Sequence, residues 1–171
     1  MPSLRAMLRD RSACGKLAGA FRGDLLMHAA IIAPVVALVA WTLVMMIWLY
    51  AVRFPALARK GISLKGRVGS KGGDLDGVVE PEVQWKAHNY NHLLEQPTLF
   101  YAIAIAIALS GGGDIWVNVW LAWAYVALRI LHSLIQATVN IVRWRFLTFL
   151  AASLCLLGLT VHAAAMILHH L

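Results

Sequence analysis

Charge is scarce in this chain: Asp, Glu, Lys and Arg supply 13% of its 171 residues, against 61% apolar types. Soluble domains carry about a quarter charged and roughly half apolar residues. A soluble fold is therefore excluded, and a mean hydropathy of +0.72 fits an integral membrane protein. Cysteine is nearly missing. Cys14 and Cys155 stand alone, without metal or redox spacing, and neither is read as functional. No internal repeat is visible, and the length leaves no room for a second domain beyond one helical bundle. The net charge of +7 and a pI near 9.9 would suit nucleic acid, but the basic residues are not interleaved with aromatics on a soluble face. They gather at membrane edges, so nucleic acid is not an expected partner.

What the chain does have is apolar length. Four stretches, at about residues 28–50, 87–110, 115–139 and 146–168, each reach the roughly 20 residues that a helix needs to cross a hydrocarbon core of about 30 Å. They predict an all-α fold, an integral membrane four-helix bundle spanning 27–171. The first connection holds Arg53, Arg59, Lys60, Lys65, Arg67, Lys71 and Lys86, and the third adds Arg143 and Arg145, whereas the second, 111–114, has no Lys or Arg. The positive-inside bias then places the first and third connections in the cytoplasm and both termini outside. The basic arm 1–26 (Arg5, Arg9, Arg11, Lys16, Arg22) runs against that bias. It lacks a clean apolar core and a small-residue cleavage site, so it does not read as a signal peptide. With Met27 directly before the first span, it reads as a disordered arm or a start-site artefact without function.

Along the spans, Pro34 allows a bend near the outer end of the first. The linker from Arg53 to about Glu82 reads as an irregular loop, part of it a short amphipathic helix on the headgroups. The Gly111-Gly112-Gly113 triplet predicts a tight turn, with Asp114 as N-cap of the third span. Trp116 and Trp120 towards one face, and Trp85 and Trp144 towards the other, fit interfacial belts.

Polar residues interrupt two of these spans. At 100° per residue, Gln84, His88, Asn91, His92 and Glu95 share an arc of about 100° on the second span, and Arg129, His132 and Gln136 share one face of the third. Ionisable groups inside a span are costly and mark a site unless they only staple the bundle. Glu95 and Arg129 fall at similar depth, which predicts an ion pair, and Pro97 frees the Leu93 carbonyl beside them. With Asn140, Arg143 and Arg145, the polarity exceeds what stapling needs. It describes a cationic pocket open to the cytoplasm, suited to an anionic hydrophilic ligand. His88, His92 and Glu95 have chelating spacing, but only His132 could add a nearby ligand, while His162, His169 and His170 lie towards the other face. No metal is expected.

The segments HNYNHLLEQPTLFY and LRILHSLIQATVNIVRWRF resemble the MAPEG superfamily (membrane-associated proteins in eicosanoid and glutathione metabolism), most closely its little-characterised bacterial branch, over about residues 28–168. The signals are a Glu followed by Pro and Phe in the second span, and an Arg-x-x-His run followed by basic residues at the head of the fourth. The resemblance implies a homotrimer in a bacterial inner membrane, with glutathione as co-substrate bound on the cytoplasmic side between subunits. It also implies membrane lipid and a lipophilic small molecule as partners. Position by position, Arg53 would contact the peptide's carboxylates and Glu95 its amino group. Arg129 and His132 match the Arg-x-x-His pair, Arg145 has the spacing of the thiolate-stabilising arginine, and Arg143 is a cation nearby. His88, Asn91 and His92 stand where eicosanoid-type members carry arginines and an asparagine, so fewer fixed cations face the peptide. Phe149 replaces a tyrosine that some members have.

The expected function is therefore a glutathione-dependent transferase or peroxidase acting on a lipophilic electrophile or hydroperoxide. The alternative is a non-catalytic membrane component or accessory subunit, in which the polar cluster only sets helix register. A proton or small-ion carrier fits less well, because no continuous polar path reaches the outer half.

Overall fold

The computed structural model describes residues 30–169 except Leu64, Arg67 and Ser70, together with Gly15. The rest of the arm 1–26, with Cys14, and also Met27, His28 and His170 lie outside the described residues. Helices run over Ile32–Arg59 (α1), Pro81–Glu95 (α2), Pro97–Leu109 (α3), Trp116–Ala137 (α4) and Val142–His169 (α5), with a short 3-10 turn at Gly72–Leu75 in the long connection. Because α2 and α3 follow one another as a single interrupted span, four helical segments are long and apolar enough to cross a membrane. Even the shortest, α4 with 22 residues, covers about 33 Å. No strand occurs among the described residues, and the fold is an all-α four-helix membrane bundle.

α4 and α5 form the most extensive pairing, α1 lies against α2 and α4, and α3 lies against α5 and α1. Leu38, Met45, Leu93, Phe100, Tyr125 and Leu159 meet in the buried centre. Large apolar side chains such as Val36, Ile47, Leu99, Leu154 and Val161 point outwards. In water such a surface would aggregate, and in a bilayer it is the lipid-facing wall. Trp116, Trp120 and Trp144 are exposed near the helix ends, where their amphipathic rings favour the headgroup level.

The helix ends at the basic face differ from the apolar boundaries. α1 continues through Arg53 to Arg59, so Arg53 lies inside a helix and not at the start of a loop. Its last turns persist because Ala56 and Leu57 find their own apolar partners, Leu75, Val79 and Val83. Termination follows a Schellman pattern: Gly61, at φ +65, donates to the Ala58 carbonyl, and Ile62 donates to the Leu57 carbonyl. α2 likewise starts early, at Pro81, where a missing N–H costs nothing in the first turn. α5 begins at Val142, which puts Arg143 and Arg145 in its first turn.

At the opposite end, α3 closes on the same motif. Gly111 takes φ +78 and donates to Ala108, while Gly112 donates to Ile107. Asp114 does not cap α4, whose N-cap Ile115 has no side-chain hydrogen bond. Instead its Oδ1 accepts the Ala30 N–H at 3.4 Å, and the Gly113 carbonyl accepts from Ile31, so the turn ties down the start of α1. A Cβ at Gly111 would be strained by the left-handed backbone alone. Gly111→Ala is therefore expected to lower stability by about 1 kcal/mol, read as a lowered melting temperature in detergent.

Candidate functional site

The polar residues of the two striped spans gather at the end of the bundle that carries the long connection, but not as one cluster. Arg129 is the centre of the first group and is 0% exposed. One guanidinium nitrogen donates to the His92 backbone carbonyl at 2.7 Å, a second lies 3.5 Å from His92 Nε2, and the Phe149 ring stands 5.9 Å away. The expected ion pair with Glu95 does not form. Glu95 closes α2 on a side where 67% of its side chain is exposed, and its Oε2 accepts from His92 Nδ1 at 3.0 Å. The carboxylate thus reaches the guanidinium through an imidazole, one helical turn nearer the core. The helix is interrupted at Gln96, before Pro97, and the carbonyl that Arg129 takes is that of His92, next to Leu93, whose own carbonyl has no helical donor at Pro97.

His132 stacks obliquely on His92, with ring centroids 5.1 Å apart. Its Nδ1 donates to the Arg145 carbonyl at 2.9 Å, an oxygen that can only accept, and its Nε2 lies 3.1 Å from Gln136 Oε1. These contacts clamp the first turn of α5 against α4. The Arg145 side chain is held by the Asn140 amide oxygen at 2.7 Å, on a turn where Asn140 itself takes φ 52. His92, His132 and Arg145 then border a hollow of about 260 Å³ whose other walls are Val142, Phe146 and Phe149. Among the described residues, no carboxylate lines it. Arg143 is exposed, and its side chain makes no hydrogen bond or ion pair among the described residues.

A second group forms around Arg53. Its guanidinium donates to the Gly72 carbonyl at 2.8 Å and lies 3.5 Å from Gln84 Oε1. The Gln84 amide donates to Gly72 and to Asp76 Oδ1, and that same oxygen accepts from His88 Nε2 at 3.1 Å. The Gln84 amide first, then the His88 imidazole and the Arg53 charge, hold the Asp76 carboxyl below the usual carboxylate range. Arg53, His88 and Asn91 border a larger hollow of about 370 Å³, beside Lys71, Tyr50 and Tyr90. A third, of about 280 Å³, lies between Asp76, His88 and Asn140. Among the described residues, no three His, Cys, Asp or Glu side chains are grouped to hold a metal ion.

Several participants were not singled out from the sequence. Asn89 is wholly buried and donates to Ser133 Oγ at 2.8 Å, as does Trp41 Nε1 at 3.0 Å. Ser133 lies one turn beyond Arg129, so the α4 stripe could have indicated it. Asn89 could not be separated from its polar neighbours. Asp76 belonged to a loop whose fold the hydropathy pattern does not describe.

The arrangement offers two cation-lined hollows at one end of a bundle with a lipid-facing wall. It can hold an anionic, water-soluble molecule next to a lipophilic one. Searches of curated proteins and of solved structures return no match. The MAPEG family, in contrast, matches residues 31–165, which reach into all four spans. On that match and this architecture, the chain belongs to the MAPEG family, a superfamily of membrane proteins in eicosanoid and glutathione metabolism.

Proposed function

We propose that this protein is a glutathione-dependent membrane transferase or peroxidase acting on a lipophilic electrophile or hydroperoxide. The observation that carries the reading is Arg145: a guanidinium bordering a hollow with three apolar walls and no opposing carboxylate. A thiol with a pKa near 8.5 is mostly protonated at neutral pH, and an adjacent guanidinium favours the nucleophilic anion. Each unit of lowering takes about 1.4 kcal/mol. The thiol proton passes to water. The sulfur then attacks the electrophilic carbon, and the bond to the leaving group breaks with its electron pair. With a hydroperoxide, two glutathione molecules become the disulfide while the hydroperoxide becomes alcohol and water.

In this reading Arg53, with His88 and Asn91, receives the peptide's carboxylates, and Glu95 receives its amino group. His92, Arg129 and His132 shape the wall between them, and Arg143 adds charge at the mouth. Glu95 and Asn91 face outwards from a span, where lipid is a costly neighbour for a carboxylate. That supports a homotrimer in which a second copy completes each site. The basic first and third connections favour a cytoplasmic mouth in a bacterial inner membrane.

A second reading, a non-catalytic or accessory membrane subunit, is favoured by Arg129 and His132, whose contacts are to the protein itself. One experiment separates the two. Purified protein mixed with glutathione in a stopped-flow instrument is expected to show ultraviolet thiolate absorbance at neutral pH, followed by conjugation of a halonitroarene. Absence of both signals would leave the accessory reading standing.

A further inference from the structure

The long connection does more than join two spans. Between Lys71 and Glu80 it lies across the ends of α1 and α2 and engages their donors from above. The Gly72 carbonyl takes the Arg53 guanidinium, the Asp76 carboxylate takes His88, and the Gln84 amide bridges both acceptors. Arg53 and His88 are also the groups that border the larger hollow, one wall of which is Lys71, Gly72 and Gly73. A backbone carbonyl and a carboxylate are the acceptor types that an anionic ligand would bring to the same donors. Only Leu75 and Val79 of this segment are buried, against Ala56, Leu57 and Val83, and an ion pair at 3.8 Å joins Glu80 to Arg59. Gly72 sits so close that a Cβ there would touch the Arg53 guanidinium at 3.5 Å.

We propose that residues 71–80 form an autoinhibitory strap: its Gly72 carbonyl and Asp76 carboxylate occupy Arg53 and His88 as internal stand-ins for a carboxylate ligand, which gains those donors only when the strap lifts. The ligand class, a di-anionic peptide or dicarboxylate, rests on the function proposed above; the self-occupied donors do not. Apparent affinity then scales with the fraction of protein whose strap is open, so loosening it from either side tightens binding.

The test uses the full chain in detergent with two variants that act differently. Asp76→Asn weakens the polar grip and changes the charge, whereas Leu75→Ala weakens the apolar grip and leaves the charge unchanged. Binding of glutathione, and separately of glutarate, is measured by calorimetry, and strap opening by hydrogen exchange at the Asp76, Val78 and Val79 amides, all hydrogen-bonded in the closed strap. The strap predicts that either anion speeds exchange at these amides and that both variants bind roughly 3- to 10-fold more tightly. Tighter binding by Asp76→Asn alone, with Leu75→Ala unchanged, would show simple charge removal and overturn the strap. Exchange that neither variant nor anion alters would overturn it as well. If glutarate lifts the strap while glutathione neither binds nor does so, the strap stands and the glutathione reading fails.

Discussion

Replacing Arg145 with alanine is expected to abolish thiolate formation at neutral pH and to lower kcat/KM for conjugation by roughly 10- to 100-fold. That range corresponds to one to two pKa units, at about 1.4 kcal/mol each. The sign follows from charge. Removing a cation beside a developing anion raises the thiol pKa, so the pH–rate profile moves to higher pH and the deficit shrinks as the medium becomes alkaline. Lysine should restore part of the rate, since it keeps the charge but loses the planar fork held by Asn140. Stability should barely change, because among the described residues the Arg145 guanidinium is hydrogen-bonded to that amide on an adjacent turn alone. A variant with an unchanged pH profile would assign Arg145 to anchoring alone.

Arg129 should behave in the opposite way, with a large loss of stability. Arg129→Ala is expected to cost about 3–5 kcal/mol, because it empties a fully buried volume, strips the Phe149 contact and removes the charged hydrogen bond to the His92 carbonyl. Arg129→Met refills most of the volume with a flexible apolar chain and gives up the desolvated charge. It should cost distinctly less, about 1–2 kcal/mol, mostly for the carbonyl. Thermal unfolding of the three proteins in one detergent ranks them. Equal losses for the two variants would mean that the hydrogen bond, and not the packing, carries the effect. An alanine variant as stable as the parent would remove Arg129 from the scaffold altogether. Since Arg129 acts through His92, any effect on ligand binding should follow the position of that ring.

The parts of this molecule legible in one dimension are those that depend on local sums. Hydropathy over about 20 residues identified each span, because a span must be apolar on average over its length regardless of its neighbours. The glycine turn was equally legible, since only glycine takes φ +78 at Gly111 without strain. Boundaries at the basic face were less so. Ala56 and Leu57 extend α1 because Leu75 and Val83 come back to cover them, which no window centred on α1 can register. The stripe of α4 placed Arg129, His132 and Gln136 on a face that is buried, whereas of the α2 stripe Gln84 is buried and His88, Asn91 and Glu95 are exposed, and the pairing between the two spans was not readable. A helical wheel gives direction about one axis, whereas contact requires the rotation and offset of two helices together.

Thus the sequence by itself determined an apolar four-span helical protein, with the cations of its connections towards one end, and the MAPEG resemblance of its second and third spans. Only the tertiary structure decided that Arg129 meets the His92 carbonyl, that Glu95 turns outwards, and that Gly72 and Asp76 engage Arg53 and His88. The reason is reach along the chain. The bonds to Ser133 come from residues 44 and 92 positions away, and such partners are chosen by how whole helices pack, not by any stretch of residues within one of them.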